Sequence, residues 1–202
     1  KHHFSNINMY QPAPLLFQQI ASDPENASFR AQGWPPVYTA SQQSRIVLVG
    51  QAPGRIAQQT RKPWNDASGR LLRQWLGVND EQFYSPELFA LMPMDFYYPG
   101  KGAHGDLPPR KGFAAKWHPK LLAQMPNVRL VIPVGSYAMK YYLKGQCQAN
   151  LTETVANFTV YLPTHFPLVH PSPLNIGWRH RNPWFEAEAI PVLQKMVNEI
   201  LL

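Results

Sequence analysis

Short apolar runs that end at glycine or proline recur along this chain. Residues 46–49 are four consecutive apolar residues, three of them β-branched, and they run directly into Gly50. A run that short, closed by Gly and Pro, predicts a strand buried on both faces. Residues 88–92, 129–134, 159–162 and 167–169 are further strand candidates. Strands with two buried faces belong to parallel sheets that are covered by helices.

Apolar residues at helical spacing separate these strands. Between Ser68, a good N-cap residue, and Gly77, which stops a helix, they fall on one helical face. Helices are also predicted over residues 14–21, 113–125, 136–143 and 183–202. Strands that alternate with helices indicate an α/β fold with a mostly parallel sheet. We expect one domain over residues 1–202, in which residues 1–44 form an N-terminal helix and an irregular lead-in.

The charge of the chain points to a polyanionic partner. The 202 residues hold 19 Lys and Arg against 12 Asp and Glu, a net charge of +7. Several basic residues follow predicted strand ends, where they can contact phosphates. We expect DNA contacts from Arg55, Lys62, Lys101, Arg110, Arg179 and Arg181. The alternative is a solvated basic face without a nucleic-acid partner.

The sequence argues against several kinds of stabilising or cofactor site, beginning with those that need cysteine. The single cysteine, Cys147, provides no disulfide framework, which predicts a reducing, cytoplasmic location. It also excludes a four-cysteine iron–sulfur cluster. The histidines show no convincing metal-ligand spacing, so we expect no metal and no cofactor. No stretch has the length that a membrane span needs, and we expect a monomer.

Two motifs together resemble the uracil-DNA glycosylase superfamily. The first is Gly-Gln-Ala-Pro-Gly at residues 50–54, and the second is His-Pro-Ser-Pro at residues 170–173. Residues 63–72, which begin Pro-Trp-Asn-Asp, resemble the family's base-stacking segment and the helix after it. The resemblance covers roughly residues 45–200. It implies a three-layer α/β/α fold around a mostly parallel sheet of four to five strands.

The resemblance also implies a set of site residues. His170 matches the histidine that hydrogen-bonds a uracil carbonyl and stabilises its developing negative charge, and Ser172 would contact a phosphate. Trp64 matches the aromatic residue that stacks on the flipped base, although core packing is a serious alternative for it. The remaining substrate-binding residues are Gly50, Ala52, Pro53, Gly54 and Asn175.

The chain departs from the family at two functional positions. Relatives carry Asp, Asn or Glu where this chain has Gln51, whose amide can orient water but cannot take a proton. We rank Asp66 first as the replacement, ahead of Asp95 and Asp106 in the long loop 95–112; a helix-entry role for Asp66 is the alternative. No asparagine follows the second strand to read the base, and Asn65 is a possible substitute.

Three functional hypotheses remain open. The first is a DNA glycosylase-like enzyme that flips uracil or a related deaminated base out of DNA and hydrolyses its N-glycosidic bond. Its catalytic residues would be His170, Gln51 and Asp66. The second is a catalytically silent member of the same fold that binds DNA. The third is a glycosidase that acts on free nucleosides, for which the basic residues would matter less.

Overall fold

The computed structural model describes residues 12–202, so residues 1–11 of the expected lead-in lie outside the described part. The strands are β1 (Ile46–Val49), β2 (Phe89–Leu91), β3 (Lys101–Gly102), β4 (Gly105–Asp106) and β5 (Leu130–Pro133). The helices are α1 (Phe17–Ser22), α2 (Ala27–Ala31), α3 (Arg55–Thr60), α4 (Ala67–Leu76), α5 (Asp80–Phe83), α6 (Phe113–Leu122), α7 (Ser136–Tyr142), α8 (Leu151–Ala156), α9 (Ile176–Arg181) and α10 (Ile190–Leu201). Three 3-10 turns lie at Pro24–Asn26, Phe158–Tyr161 and Pro173–Asn175, and Phe185–Ala189 is a π-helix.

The centre of the fold is a parallel sheet in the order β2-β1-β5. Ile46 of β1 is in register with Phe89 on one side and with Leu130 on the other. All four residues of β1 are buried, as the apolar run predicted. The predicted α/β class is therefore confirmed.

Alternating residues of the strands divide the core into two clusters. Ile46 and Leu48 belong to one cluster, which contains apolar residues of α4, α8 and α10. Val47 and Val49 belong to the other, which contains residues of α1 and α6. Because a strand points successive side chains to opposite faces, the sheet is the middle of three layers. Each face of the sheet is thereby covered by helices.

The sheet has three paired strands in the described residues, where four to five were expected. A fourth segment makes only isolated parallel bridges, from His165 to Val131 of β5 and from Leu168 to Val134, the residue after β5. The predicted strand at residues 159–162 is wrong, because Phe158–Tyr161 forms a 3-10 turn. Val160 is 64% exposed, so its β-branched side chain has no sheet to pack on.

Helix α4 starts two residues earlier than the N-cap prediction for Ser68 indicated. Asp66 is the N-cap of α4, and its Oδ1 accepts the Gly69 backbone N–H at 2.9 Å. Gly77 ends the helix as predicted, in the left-handed conformation with φ of 70°. A carboxylate at an N-cap is also favoured by the helix dipole. The N-cap prediction for Ser68 is therefore corrected to Asp66.

Other segments refine the predicted pattern. The loop over residues 95–112 contains the antiparallel hairpin β3–β4, and the lead-in contains α2. The C-terminal helix changes from a π-helix to α10 at Ile190, and Pro191 lies in the first turn of α10, where a missing N–H is tolerated. Within residues 12–202, no helix combines the length and the apolar character that crossing a bilayer would demand.

Candidate active site

A partly open cavity of about 220 Å³ lies at the carboxyl edge of the sheet. The first motif contributes Gly50, Gln51, Ala52, Pro53 and Gly54 to its wall. The later part of the chain contributes Trp64, Asp66, His170 and Ser172. The carboxyl edge is where open α/β sheets bind ligands. The structure thus brings most of the sequence-predicted site residues around one cavity, while their roles stay predictions.

Backbone hydrogen bonds fix the first motif beside the end of β2. The Gly50 carbonyl accepts the Met94 N–H at 2.8 Å, and the Gln51 carbonyl accepts the Asp95 N–H at 3.2 Å. Gly50 is buried, and a β-carbon built on it would lie 2.8 Å from Cζ2 of Trp64. A side chain at this position would therefore displace the Trp64 ring.

Trp64 has a left-handed backbone conformation that a bulky residue rarely adopts. Its φ is 57°, and its carbonyl accepts Nη1 of Arg73 at 3.1 Å. The preceding carbonyl, of Pro63, accepts the Tyr84 hydroxyl at 2.7 Å. Gly69 packs directly against the Trp64 backbone, because a β-carbon on Gly69 would lie 1.8 Å from the Trp64 carbonyl oxygen. A strained backbone of this kind persists only where several surrounding contacts hold it in place, and it is found most often at functional sites.

Arg73 connects this loop to the rest of the fold. The residue is 7% exposed, and its Nε pairs with Oδ1 of Asp80 at 2.8 Å. A second bond runs from its Nη1 to the Tyr84 hydroxyl at 3.2 Å. The guanidinium therefore holds both carbonyl groups of the Pro63–Trp64 step, directly or through Tyr84.

His170 sits in a loop that fixes the protonation pattern of its ring. The Ser172 backbone N–H donates to Nδ1 at 3.0 Å, and the Asn175 side-chain amide donates to the His170 carbonyl at 2.9 Å. Burial lowers the pKa of His170, with a smaller opposing effect from the Asp66 charge. The ring is therefore neutral at pH 7, and because Nδ1 accepts, its proton is on Nε2.

The rings of Trp64 and His170 are neighbours. Their centroids are 5.4 Å apart and their planes are inclined by 34°. A flat ligand in the cavity can therefore meet an aromatic face and a hydrogen-bond donor at the same time. This is the combination that recognition of an extruded base requires.

Three carboxylates were considered for the water-positioning role, and the structure separates them. Asp66 lines the cavity but also caps α4. Asp95 is fully buried in an ion pair with Arg110, at 2.8 Å from Oδ2 to Nε. Asp106 lines the cavity from the hairpin β3–β4. The sequence ranked Asp66 ahead of Asp106 because Asp66 lies two residues beyond Trp64 on the same loop. A long loop has no periodicity from which to predict that Asp106 turns inward.

The base-reading position is apolar, as the sequence indicated. Met92 is fully buried, and Pro93 lines the cavity. The Pro93 carbonyl lies 2.8 Å from Nε2 of His118, so that Nε2 carries the proton. Asn65, the proposed substitute, is not among the lining residues, and its Nδ2 donates to the Thr60 hydroxyl at 3.2 Å. Its predicted base-reading role therefore has no geometric support.

The six predicted DNA-contacting residues differ in their availability. Arg55, Lys62, Lys101 and Arg181 are exposed. Arg179 instead pairs with Glu186, with 2.7 Å between Nε and Oε1. Arg110 is bound to Asp95 and lies over the rings of Phe29 and Phe113. The Arg110 guanidinium is thus engaged in contacts within the fold. A phosphate contact from Arg110 stays a prediction.

Metal ligands do not gather in the part of the chain that the structure describes. Among residues 12–202, no three or more His, Cys, Asp or Glu side chains form a group that could hold a metal ion. Cys147 is half-buried, and its Sγ lies 3.7 Å from the Met139 carbonyl. One cysteine cannot supply the four thiolates of an iron–sulfur cluster.

One exposed residue near the cavity was missed by the sequence analysis. Leu174 is 86% exposed in the 3-10 turn Pro173–Asn175, four residues after His170. Its signal was a leucine inside a Pro- and Asn-rich turn, which predicts surface exposure for an apolar side chain. An apolar side chain held at the rim of a cavity is suited to contact a partner.

Comparison with known proteins gives a family match and similarity to solved structures. Residues 36–194 match the family model of the uracil DNA glycosylase superfamily. The solution NMR structure of a candidate uracil DNA glycosylase from Methanosarcina acetivorans is similar to this chain, with 15% sequence identity and a TM-score of 0.45. That alignment covers 81% of this chain and 96% of the other.

Proposed function

The chain belongs to the uracil-DNA glycosylase superfamily, and on that premise we propose that it removes uracil or a related deaminated base from DNA. The base is flipped out of the stack into the cavity beside Trp64 and His170, and its N-glycosidic bond is hydrolysed. DNA repair is the process that such a reaction serves.

The observation that carries this proposal is the hydrogen bond from the Ser172 N–H to Nδ1 of His170, 3.0 Å long. It makes Nδ1 an acceptor and leaves the neutral ring with a donor at Nε2. As the glycosidic bond breaks, the departing base takes both bonding electrons and becomes an anion. A donor already aimed at that charge lowers the barrier without reorganisation. Loss of one such donor typically costs about 10²–10³ in rate.

Trp64 supplies the second requirement, a flat surface for the extruded base. Stacking of a base on an aromatic side chain contributes roughly 1–3 kcal/mol by alanine substitution. Its backbone is held by Arg73 and lies against Gly69, and its ring lies against Gly50. A stacking surface fixed in advance loses little entropy when the base binds.

The rim of the cavity offers contacts for the DNA itself. Leu174 projects as an exposed apolar side chain beside the His170 loop. Apolar wedges of this kind enter base steps and stabilise a distorted duplex. Arg181, Lys62 and Lys101 are exposed cations that can neutralise phosphates around the flipped nucleotide.

The decisive experiment is a single-turnover assay on oligonucleotides that carry uracil, hypoxanthine, xanthine or a mismatched thymine. We expect abasic product from at least one of them, and no product from His170→Ala under the same conditions. Each base should be offered in single-stranded and duplex form, so that the same assay measures the strand preference. Absence of abasic product on every substrate would overturn the proposal.

One observation favours a second function. Gln51 stands where relatives carry a group able to hold the attacking water, and it cannot take a proton. A protein with this motif could bind DNA and flip a base without cutting it. That alternative predicts salt-dependent DNA binding with no abasic product from any of the four bases.

A further inference from the structure

The attacking water needs a group that can take its proton, which Gln51 cannot do, and the inference about the identity of that group rests on the proposed function. A water that attacks the sugar must lose a proton during or after bond formation. General-base assistance of this kind contributes typically 10²–10⁴-fold. The three candidate carboxylates, Asp66, Asp95 and Asp106, differ in the hydrogen bonds and ion pairs that their oxygens already form.

Asp95 is committed to the fold. Its Oδ2 accepts Nε of Arg110 at 2.8 Å, and its Oδ1 accepts Nη2 at 3.0 Å. Two backbone N–H groups, from Tyr97 and Arg110, complete the set at 3.1 Å each. With four donors and no exposed surface, this carboxylate has no place for a water.

Asp66 is partly committed to the fold. Its Oδ1 is bound to the Gly69 N–H, and its charge acts on His170, whose pKa it raises against the effect of burial. One oxygen of Asp66 is therefore taken by the cap of α4. A carboxylate that holds and deprotonates the water needs oxygens that no other group occupies.

Asp106 meets this requirement. It lines the cavity from β4, and its Oδ2 would lie 3.9 Å from a β-carbon on Gly54. It therefore faces the end of the first motif. Within residues 12–202, the Asp106 carboxylate accepts no hydrogen bond and forms no ion pair. Its lone pairs remain available to a water.

The hairpin gives this carboxylate a defined position. Asp106 is paired with Lys101 across the hairpin, and Gly102 with Gly105. At the base, the Leu107 N–H donates to the Gly100 carbonyl at 2.8 Å. Gly54 contributes by having no side chain, because the space between Asp106 and the motif stays open to solvent and ligand.

We propose that Asp106 is the catalytic residue that positions and deprotonates the attacking water. The bond between C1′ and the base nitrogen breaks, and its electron pair leaves with the base. The water oxygen then bonds to C1′ while its proton passes to the Asp106 carboxylate. Asp106 returns this proton to solvent, and the base anion, stabilised by His170, takes one up from solvent. No oxidant, metal or cofactor enters the balance.

The test compares Asp106→Asn with Asp66→Asn in single-turnover cleavage of the base that the wild type removes. We expect Asp106→Asn to lose about 10²-fold or more, and Asp66→Asn to lose less than about tenfold because an amide oxygen still caps α4. Glu87→Gln is the matched control, since it removes one exposed carboxylate at the amino edge of the sheet. Asp106→Ser serves in the same way if the asparagine variant does not fold.

A second measurement decides the proposal even if no base is cut. Duplex DNA carrying a cationic pyrrolidine in place of one deoxyribose mimics the cation-like sugar, and a neutral tetrahydrofuran is its control. We expect the wild type to prefer the cation by at least about tenfold, and Asp106→Asn to lose that preference. The proposal would be overturned if Asp106→Asn cleaved the base at the wild-type rate. It would also be overturned if that variant still preferred the cationic pyrrolidine to the neutral tetrahydrofuran. If the wild type cuts no base but shows the preference, the proposed function fails, and Asp106 is left as the charge that holds a cationic sugar and not as a catalytic residue.

Discussion

The Trp64 ring lies directly over Gly50, so that a β-carbon on Gly50 would be 2.8 Å from Cζ2 of the indole. The first motif therefore requires glycine at position 50, because a larger residue there would collide with Trp64 on another loop. This contact couples the strand end to the proposed stacking surface. The position of Trp64 is a property of the two loops together.

Gly50→Ala is expected to move the Trp64 ring and weaken cleavage by about 10- to 100-fold, because misplacement of about 1 Å is costly in a positioned site. A double-mutant cycle with Trp64→Ala measures the coupling. In the Trp64→Ala background, Gly50→Ala should add little, because the ring it displaces is gone. Equal and additive losses would show that Gly50 acts independently of Trp64.

Gly69→Ala should destabilise the fold. A β-carbon at Gly69 would lie 1.8 Å from the Trp64 carbonyl oxygen, which is backbone and cannot rotate away. Overpacking of this kind costs typically about 1–3 kcal/mol, and we expect the upper part of that range. Denaturant unfolding, with the m-value compared, is the measurement.

Gly177→Ala is the matched control for Gly69→Ala. It places the same methyl group in α9, where the nearest atom is the end of the flexible Arg181 side chain at 3.1 Å. Helix propensity favours alanine by about 1 kcal/mol, so this variant should be neutral or slightly stabilised. A similar loss in both variants would refute the packing argument.

The sequence predicted those parts of the fold that depend on short-range pattern. The burial of β1, the end of α4 at Gly77 and the meeting of both motifs at one sheet edge follow from apolar runs and glycine positions. The predicted strand at residues 159–162 failed because β propensity does not provide a neighbouring strand. Val160 is exposed there instead.

The site was less predictable than the fold, because it depends on contacts between distant residues. Pattern alone could not show that Asp95 is neutralised by Arg110, fifteen positions away. Nor could it show that Arg73 bonds to the Trp64 carbonyl and thereby supports a left-handed backbone. Asp66 proved to have the helix-entry role that had been kept as its alternative.

DNA affinity should fall steeply with salt, with a slope of about −0.9 per phosphate contact on duplex. Arg181 is exposed at the end of α9, whereas Arg179 is paired with Glu186. We therefore expect Arg181→Ala to reduce the slope by about one contact and Arg179→Ala to reduce it less. Titrations over a range of salt concentrations measure both slopes.

Lys195→Ala is the control for the salt experiment, since Lys195 is exposed on α10 and no predicted DNA contact lies on that helix. Its slope should equal that of the wild type. Affinity that does not change with salt would contradict phosphate binding. It would favour the hypothesis of a free-nucleoside substrate.

His118 should make stability depend on pH. Burial lowers its pKa from 6.5 to about 4, so between these values the unfolded chain binds more protons than the folded chain. The stabilisation is complete above pH 6.5 and is lost as pH falls towards 4, by an amount on the order of 3 kcal/mol. Denaturant unfolding from pH 4 to 8 measures it.

His118→Gln should reduce that pH dependence while lowering stability at pH 8, because the bonds to Pro93 and Tyr142 are changed. His165 and His170 also have lowered pKa values, so a smaller slope of the same sign should remain. An unchanged slope in His118→Gln would assign the effect to other groups.

His170→Ala should remove more activity than Gln51→Ala in single-turnover reactions, which separate chemistry from product release. If bond cleavage runs ahead of water attack, the departing base carries its full negative charge at the highest barrier, and the Nε2 proton of His170 acts there. Its loss should cost about 10²–10³ in rate. Gln51 is neutral and its amide can only orient water or a base edge. Such a hydrogen bond is worth nearer 0.5–1.5 kcal/mol, or about 2- to 10-fold in rate.

The dependence of the reaction rate on pH below neutrality gives an independent check on the role of His170. Protonation would put a second N–H at Nδ1, facing the Ser172 N–H that now donates to it at 3.0 Å. Because burial lowers the pKa of His170, the wild-type rate should stay constant as pH falls through 6.5 and decline only at lower pH. Ser172→Pro removes that N–H, and it should lower the rate by freeing the ring to place its proton on either nitrogen. If His170→Ala cuts at the wild-type rate while Gln51→Ala is inactive, charge on the base is not what the site stabilises, and Gln51 must act on the water instead.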